Sequence, residues 1–283
     1  MKLVRYGEPG SERPGIVASD GSLRDLSAHV RDLDAETLTD GRLEALRAVD
    51  PDIMPRVPAG VRLGPCIAPT GKIVAVGLNY VDHARESNML LPKEPVLFMK
   101  GARLSGPNDA IFIPPGSSKT DWEIELAVVI GREALNVSQE GAMYYVAGFA
   151  AFVDVSERAW QIERGGQWDK GKGFPSFAPI GPWLVTADEI TKPQNIRLWL
   201  DVNGVRRQDS NTSNMVFGVA ALVSYISSFM ALYPGDVIAT GTPAGVGMGI
   251  KPEAVYLGAG DVIHCGIDGL GEQKHRCESF LSR

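Results

Sequence analysis

Cysteine is scarce in this sequence. Only Cys66, Cys265 and Cys277 occur among 283 residues, too few and too scattered for a disulfide framework or a Cys-x-x-Cys metal site. They read as reduced, mostly buried thiols. Histidine is nearly as sparse, at four residues, and His264 and His275, close to Cys265 and Cys277, match no zinc-ligand spacing. Nor is there a surplus of positive charge. Twenty-eight basic residues against 34 acidic ones leave a net charge of −6, which excludes a general positive field for nucleic acid or an anionic membrane. Long hydrophobic runs are missing too. The most apolar stretch, 215–233, is broken by Gly218, Ser224, Ser227 and Ser228. A membrane span needs about 20 predominantly apolar residues, so this stretch predicts a buried helix. Met1 to Gly7 carry no apolar signal-peptide core, and the expectation is a cytoplasmic protein.

The chain has an ordinary globular balance, 44% apolar and 22% charged, enough for one large domain or a main domain with a small one beside it. Residues 1–70 predict a small N-terminal module. Short strands at 3–6 and 14–17 precede the turn Ser19-Asp20-Gly21, and a short helix covers 40–47. Pro51, Pro55, Pro58 and Pro69 punctuate the rest of the module. Residues 71–283 predict the main domain. Strands are expected at 73–77, 122–130, 146–155, 196–202 and 236–239, with a helix capped by Asn79 running to Glu86 and a long helix over about 215–232. Strands do not alternate regularly with helices, which argues against a doubly wound parallel sheet. The expected class is α+β with a rolled, largely β main domain.

The sharpest chemical signal is Asp121-Trp122-Glu123-Ile124-Glu125-Leu126-Ala127. Residues two apart on a strand share a face, so Glu123 and Glu125 point together while Trp122, Ile124 and Leu126 enter the core. The strand continues as Ala127-Val128-Val129-Ile130, the pattern of an element buried on both faces. A buried carboxylate pair needs a cation. Asp154, closing the next apolar run, supplies a third carboxylate. Three carboxylate oxygens suit a hard ion such as Mg²⁺ or Mn²⁺ and suit Zn²⁺ poorly. The competing reading is a solvated acidic face.

His83 and Glu86 are helical neighbours, and a carboxylate on the imidazole makes a general base. An ordinary surface pair has the same spacing. Gln161 and the glycine-flanked Lys172 form a third group, where the ammonium can hold a carboxylate or an oxyanion. A solvated basic loop is the plainer alternative. The glycine-rich stretch 239–249 lacks the Gly-Lys-Ser/Thr ending of a phosphate loop, and no helix pattern succeeds it, so nucleotide binding is rejected. Thr242 and nearby amides could still clamp an anion. Met89, Met99 and Met248 read as packing residues.

Taken together and in order, these segments resemble the fumarylacetoacetate hydrolase family. They are Gly77-Leu78-Asn79-Tyr80 with His83 and Glu86, residues 95–100 ending in Lys100, and Asp121 to Ala127. Asp154 with Gln161, Gly171-Lys172-Gly173-Phe174, residues 177–183, and Thr240-Gly241-Thr242-Pro243 complete the series. The resemblance covers roughly 71–283, and the N-terminal module resembles one that many bacterial members carry. It implies a mixed β-roll catalytic domain and a homodimer, with Mg²⁺ or Mn²⁺ held by Glu123, Glu125 and Asp154. It also implies that His83 and Glu86 sit on a lid-like segment and activate water, that Lys172 and Gln161 hold substrate oxygens, and that Thr242 contacts the substrate carboxylate. Two departures bear on the substrate. Pro175 stands where members often have an acidic residue, and Gly101-Ala102-Arg103 succeeds Lys100 where many carry Ser or Thr.

The implied reaction is hydrolysis of a carbon–carbon bond in a small 2,4-dioxo acid (an acylpyruvate), giving pyruvate and a carboxylic acid. The overall likeness is to bacterial members acting on 2,4-diketo-3-deoxy sugar acids, relatives often called ureidoglycolate lyase. Oxaloacetate decarboxylation, isomerisation of a 2-hydroxyhepta-2,4-diene-1,7-dioate and ureidoglycolate lyase activity are alternatives on the same site. A non-catalytic, metal-stabilised binding protein is the reading from another class, and a base beside the metal argues against it.

Overall fold

The computed structural model describes residues 1–69, 71–86 and 88–280. Strands dominate it, and the few helices are short. This is the expected α+β class.

One mixed sheet runs from Leu23–Asp25 at one edge through Arg13–Val17, Lys2–Tyr6, Ala178–Thr186, Val146–Val153 and Ile124–Ile130. It continues through Val237–Ala239 and Ile73–Gly77 to Val96–Met99, and Leu104–Ser105 pairs alongside Ala178–Thr186. A second sheet orders Val205–Asn211, Arg197–Val202, Val262–Ile267, Gly271–Ser279 and Ile111–Ile113. It packs on the first through Gly271–Ser279, which lies against Ala178–Thr186 and Val146–Val153. The N-terminal strands do not stand apart from the sheet. Lys2 and Leu3 pair antiparallel with Val185 and Leu184, so the N-terminal strands extend the central sheet.

The central strands are buried throughout. Ile124–Ile130 and Val146–Val153 have no exposed residue, as their continuous apolar runs require. Their register is what builds the site. Val153 pairs with Ile124 and Phe152 with Glu125, and the Asp154 amide donates to the Glu123 carbonyl at 2.9 Å. Asp154 therefore lies across from Glu123, and Glu125 is two residues along on the same face.

Several boundaries differ from expectation. The strand expected from Trp122 begins at Ile124, and Thr120–Asp121 is a separate short strand paired with Ser156–Glu157. The strand expected to reach residue 155 ends at Val153. The long helix over 215–232 shrinks to Val219–Ser227, because Gly218 caps it and Thr212–Asn214 is a separate 3-10 turn. Asn79 does not cap the helix Val81–Glu86, whose first carbonyl acceptor is Tyr80. Its buried amide instead donates to Phe217 O and Thr240 O and accepts from Phe217 N, tying three segments together beneath the helix that carries His83.

Candidate active site

Glu123, Glu125 and Asp154 converge. One carboxylate oxygen from each lies within 4.8 Å of the others, and all three residues are buried. Among the described residues this is the single cluster of its kind, so the histidines and cysteines near the C-terminus form none. Cys66, Cys265 and Cys277 are free, buried thiols.

Three buried cations face these acids. Lys172 Nζ lies 2.6 Å from Glu123 Oε2 and 2.8 Å from Asp154 Oδ2. Arg158 reaches Glu123 Oε1 at 2.7 Å and Asp121 Oδ2 at 2.8 Å. Lys100 Nζ spends its protons on Asp154 Oδ1 at 2.5 Å and on the carbonyls of Val155 and Lys172, each at 3.0 Å. Burial alone would raise the Glu123 carboxyl, but Lys172 and Arg158 outweigh it and hold it at about 2. Glu125 goes the other way. Burial, then the charges of Asp154 and Glu123, push it well above the ordinary value of 4.5. Burial lowers Lys100 against the pull of Asp154, whereas the acids around Lys172 raise it in spite of burial. With Asp121 counted, four carboxylates meet three cations, and Glu125 is the acid left without a charge partner. Hard oxygen donors with a missing positive charge fit a divalent ion of the Mg²⁺ or Mn²⁺ kind.

The glycine-rich stretch 239–249 has a different task from the one expected. Its amides hold the protein's own carboxylates. Gly241 N donates to Glu125 Oε2 at 2.9 Å, Gly245 N to both oxygens of Glu86 at 3.0 and 3.1 Å, and Gly247 N and Met248 N to Asp121 at 2.6 and 3.0 Å. Gly245 is at φ +102°, and a Cβ there would lie 1.8 Å from the Arg207 carbonyl, so only glycine fits. Thr242 lines the cavity, but its hydroxyl donates to Ile124 O and accepts from Gln208. In this arrangement it has no proton to offer a substrate carboxylate.

His83 is buried in the middle of Val81–Glu86, with Nδ1 3.5 Å from Glu86 Oε2 at the helix end. Gly245 thus fixes Glu86, and Glu86 faces the imidazole. Lys172 ends the short helix Asp169–Lys172. Gly171 lets that helix approach Arg158–Ile162, since a Cβ would meet Glu157 O at 2.5 Å and Gln161 Cβ at 2.6 Å. Gln161 accepts from Arg158 through Oε1 at 3.0 Å. These groups open onto one cavity of about 540 Å³ that His83, Glu86, Glu123, Glu125, Gln161 and Lys172 help line, a usual size for a small-molecule site. Met89 and Met248, expected to be packing residues, line it too.

Sequence reasoning gave no role to Arg158, Lys100 or Asp121. A buried acidic cluster demands cations, and that demand was a usable signal for Arg158, four residues beyond Asp154. Lys100 arrives from a distant strand, and no local pattern marks it.

A mixed sheet that carries Glu125 on a central strand, Glu123 just before that strand and Asp154 just past the end of its neighbour marks the class. Residues 72–278 match the family model described as fumarylacetoacetate (FAA) hydrolase, C-terminal, and the chain belongs to that family, whose members are hydrolases and isomerases with metal sites. A Burkholderia multivorans protein named provisionally as a hydrolase is 59% identical over 274 residues, covering 96% of this chain and 97% of the relative. The fumarylacetoacetate hydrolase of Exiguobacterium antarcticum superposes with a TM-score of 0.88 at 35% identity, covering 99% of this chain and 100% of that one. The maleylpyruvate hydrolase of Sphingobium sp. SYK-6, solved with manganese(II) and pyruvate, gives a TM-score of 0.81 at 30% identity, with 99% and 100% covered. Among the described residues no helix is long and apolar enough to cross a membrane.

Proposed function

We propose that this chain is a Mg²⁺- or Mn²⁺-dependent hydrolase that cleaves the C3–C4 bond of 2,4-dioxo acids to give pyruvate and a second carboxylic acid. The observation that carries the reading is the gathering of three buried carboxylates, an imidazole–carboxylate pair and a buried lysine around one cavity. The maleylpyruvate hydrolase solved with manganese and pyruvate supports it.

Glu123, Glu125 and Asp154 would hold the ion, which when bound supplies a positive charge for the carboxylate and 2-oxo oxygens of the substrate. The chain's own groups do the rest. His83, oriented by Glu86, takes a proton from water, whose oxygen attacks the C4 carbonyl. Its contact with Glu86 is long, as is common before substrate binds. Lys172 and the Gln161 amide donate to the oxygen that gains charge at C4. The C3–C4 bond then breaks. Its electron pair leaves on C3 as the enolate of pyruvate, and the proton held at His83 Nε2 is available to return to C3. Water enters the new carboxylic acid, and atoms and charge balance. The family resemblance carries the further expectation of a homodimer, tested by light scattering.

The test is pyruvate release from acetylpyruvate and from oxaloacetate, with Mg²⁺ and with a chelator. Metal-dependent cleavage of acetylpyruvate supports the hydrolase. Turnover of oxaloacetate alone makes the protein a decarboxylase with an idle His83–Glu86 pair.

A further inference from the structure

The cavity has two kinds of wall. Its floor is ionic and carries the groups assigned above. Toward solvent the wall turns to hydrocarbon, formed by Leu78, Met89, Phe98, Ile162, Trp168 and Met248. Phe98 and Trp168 meet edge to face with centroids 5.5 Å apart, and Lys172 Nζ lies 5.0 Å from the Phe98 centroid. The aromatic shelf therefore begins where the ionic floor ends.

The backbone makes room for this shelf. At Gly77 a Cβ would lie 2.5 Å from the Trp168 ring, so the strand gives up its side chain to admit the indole. The next residue, Leu78, sits at φ +55°, a left-handed conformation that costs a leucine about 1–2 kcal/mol. Asn79, bonded to Phe217 and Thr240, anchors the turn that imposes it. Met89 and Ile162 are each 50% exposed and face the cavity as apolar surface without a cover. Beyond the ionic and polar groups assigned above, the polar side chains of the described lining are the indole N–H of Trp168 and those of Asn88 and Lys251. Asn88 and Lys251 stand at the outer rim, both exposed.

We infer that this shelf receives the acyl half of the substrate and that the acyl group is apolar, an aryl or extended aliphatic chain, and neither polyhydroxylated nor anionic. The inference rests on the hydrolase reading of the same cavity and deepens it. A sugar-acid tail, the one suggested by overall likeness of sequence, would set its hydroxyls against hydrocarbon and lose hydrogen bonds to water without replacement. An aryl tail would cover Met89 and Ile162 and stack on the shelf.

Binding can be tested apart from catalysis by using 2-oxo acids with no 4-oxo group to attack. With Mg²⁺ present, isothermal titration compares 4-phenyl-2-oxobutanoate, 2-keto-3-deoxygluconate, 2-oxoadipate and pyruvate. The phenyl acid is expected to bind at least about tenfold tighter than pyruvate, and the polyol and the dicarboxylate no tighter than pyruvate. Trp168→Ala should remove most of that preference and Trp168→Phe should keep it. Equal binding of all four overturns the inference. So does tighter binding of the polyol, or of 2-oxoadipate, which would point to Lys251 as the partner of an anionic tail. The hydrolase reading fails separately. A protein that prefers the phenyl acid but leaves benzoylpyruvate uncleaved keeps the shelf and loses the hydrolysis, and one that cleaves acetylpyruvate without tail preference does the reverse.

Discussion

Glu123 and Glu125 share one face of one segment, yet their surroundings treat them oppositely. Glu123 has two cations and an ordinary ionised role, whereas Glu125 accepts one amide hydrogen bond and faces two like charges. Glu125→Gln keeps the Gly241 contact and removes the cost, at neutral pH, of holding this carboxyl protonated among like charges. It should stabilise the metal-free protein by about 1 kcal/mol and weaken Mn²⁺ binding by about tenfold or more. Melting curves with and without Mn²⁺ check both, and a destabilised metal-free variant would count against the assignment. The same group sets a pH dependence. As pH rises past 4.5 the unfolded chain releases the Glu125 proton while the folded one keeps it, so this term lowers metal-free stability with rising pH. Metal must displace that proton, so Mn²⁺ affinity should strengthen as pH rises, and Glu125→Gln should flatten the trend. Titration calorimetry at several pH values reads it. The three carboxylates were legible because strand period and a doubly buried run are sequence properties. Lys100 was not, since only tertiary pairing brings Val96–Met99 and the lysine after it to Asp154.

At the scale of elements, the stretch 239–249 is a row of donors for acids that come from three other segments. Its glycines were visible, but their partners were not. Gly245→Ala should strain a left-handed position, force the Arg207 carbonyl away and release Glu86. The expected result is a loss of about 1–3 kcal/mol in stability and about 10–100-fold in hydrolysis, with Mn²⁺ affinity near wild type because Glu86 is not in the triad. Unchanged turnover would mean that the Gly245–Glu86 contact has no part in orienting His83. Local signals misled where side chains had tertiary partners. Asn79 has the composition of a helix cap and serves instead as a three-way tie.

Over the whole molecule, the linker-like composition before residue 70 suggested a small N-terminal module, and its strands pair into the sheet of the main domain. Lys2–Tyr6 covers the edge of Ala178–Thr186, and Leu3, Ile16 and Leu26 belong to the same core as Phe149 and Leu184. Deleting residues 1–70 should expose that edge and core. The expected product aggregates or melts well below the full chain in a thermal scan. A deletion variant that keeps the full melting temperature would show that the main domain stands alone. Composition and alternation made the α+β class legible. Which strand neighbours which is set by pairings between residues more than a hundred positions apart, such as Lys2 with Val185, and no local pattern encodes those.

The central claim is that His83, held by Glu86 beside the carboxylate triad, activates water against a 2,4-dioxo acid. The direct measurement is turnover of acetylpyruvate in H₂¹⁸O with Mn²⁺, tracking ¹⁸O in the acetate produced, for wild type and His83→Ala. The account predicts one ¹⁸O per acetate at a rate abolished by chelator. It predicts a loss of about 10²–10⁴-fold in His83→Ala, with Mn²⁺ affinity unchanged. Label entering acetate equally fast in His83→Ala, or no acetate from wild type, would contradict it.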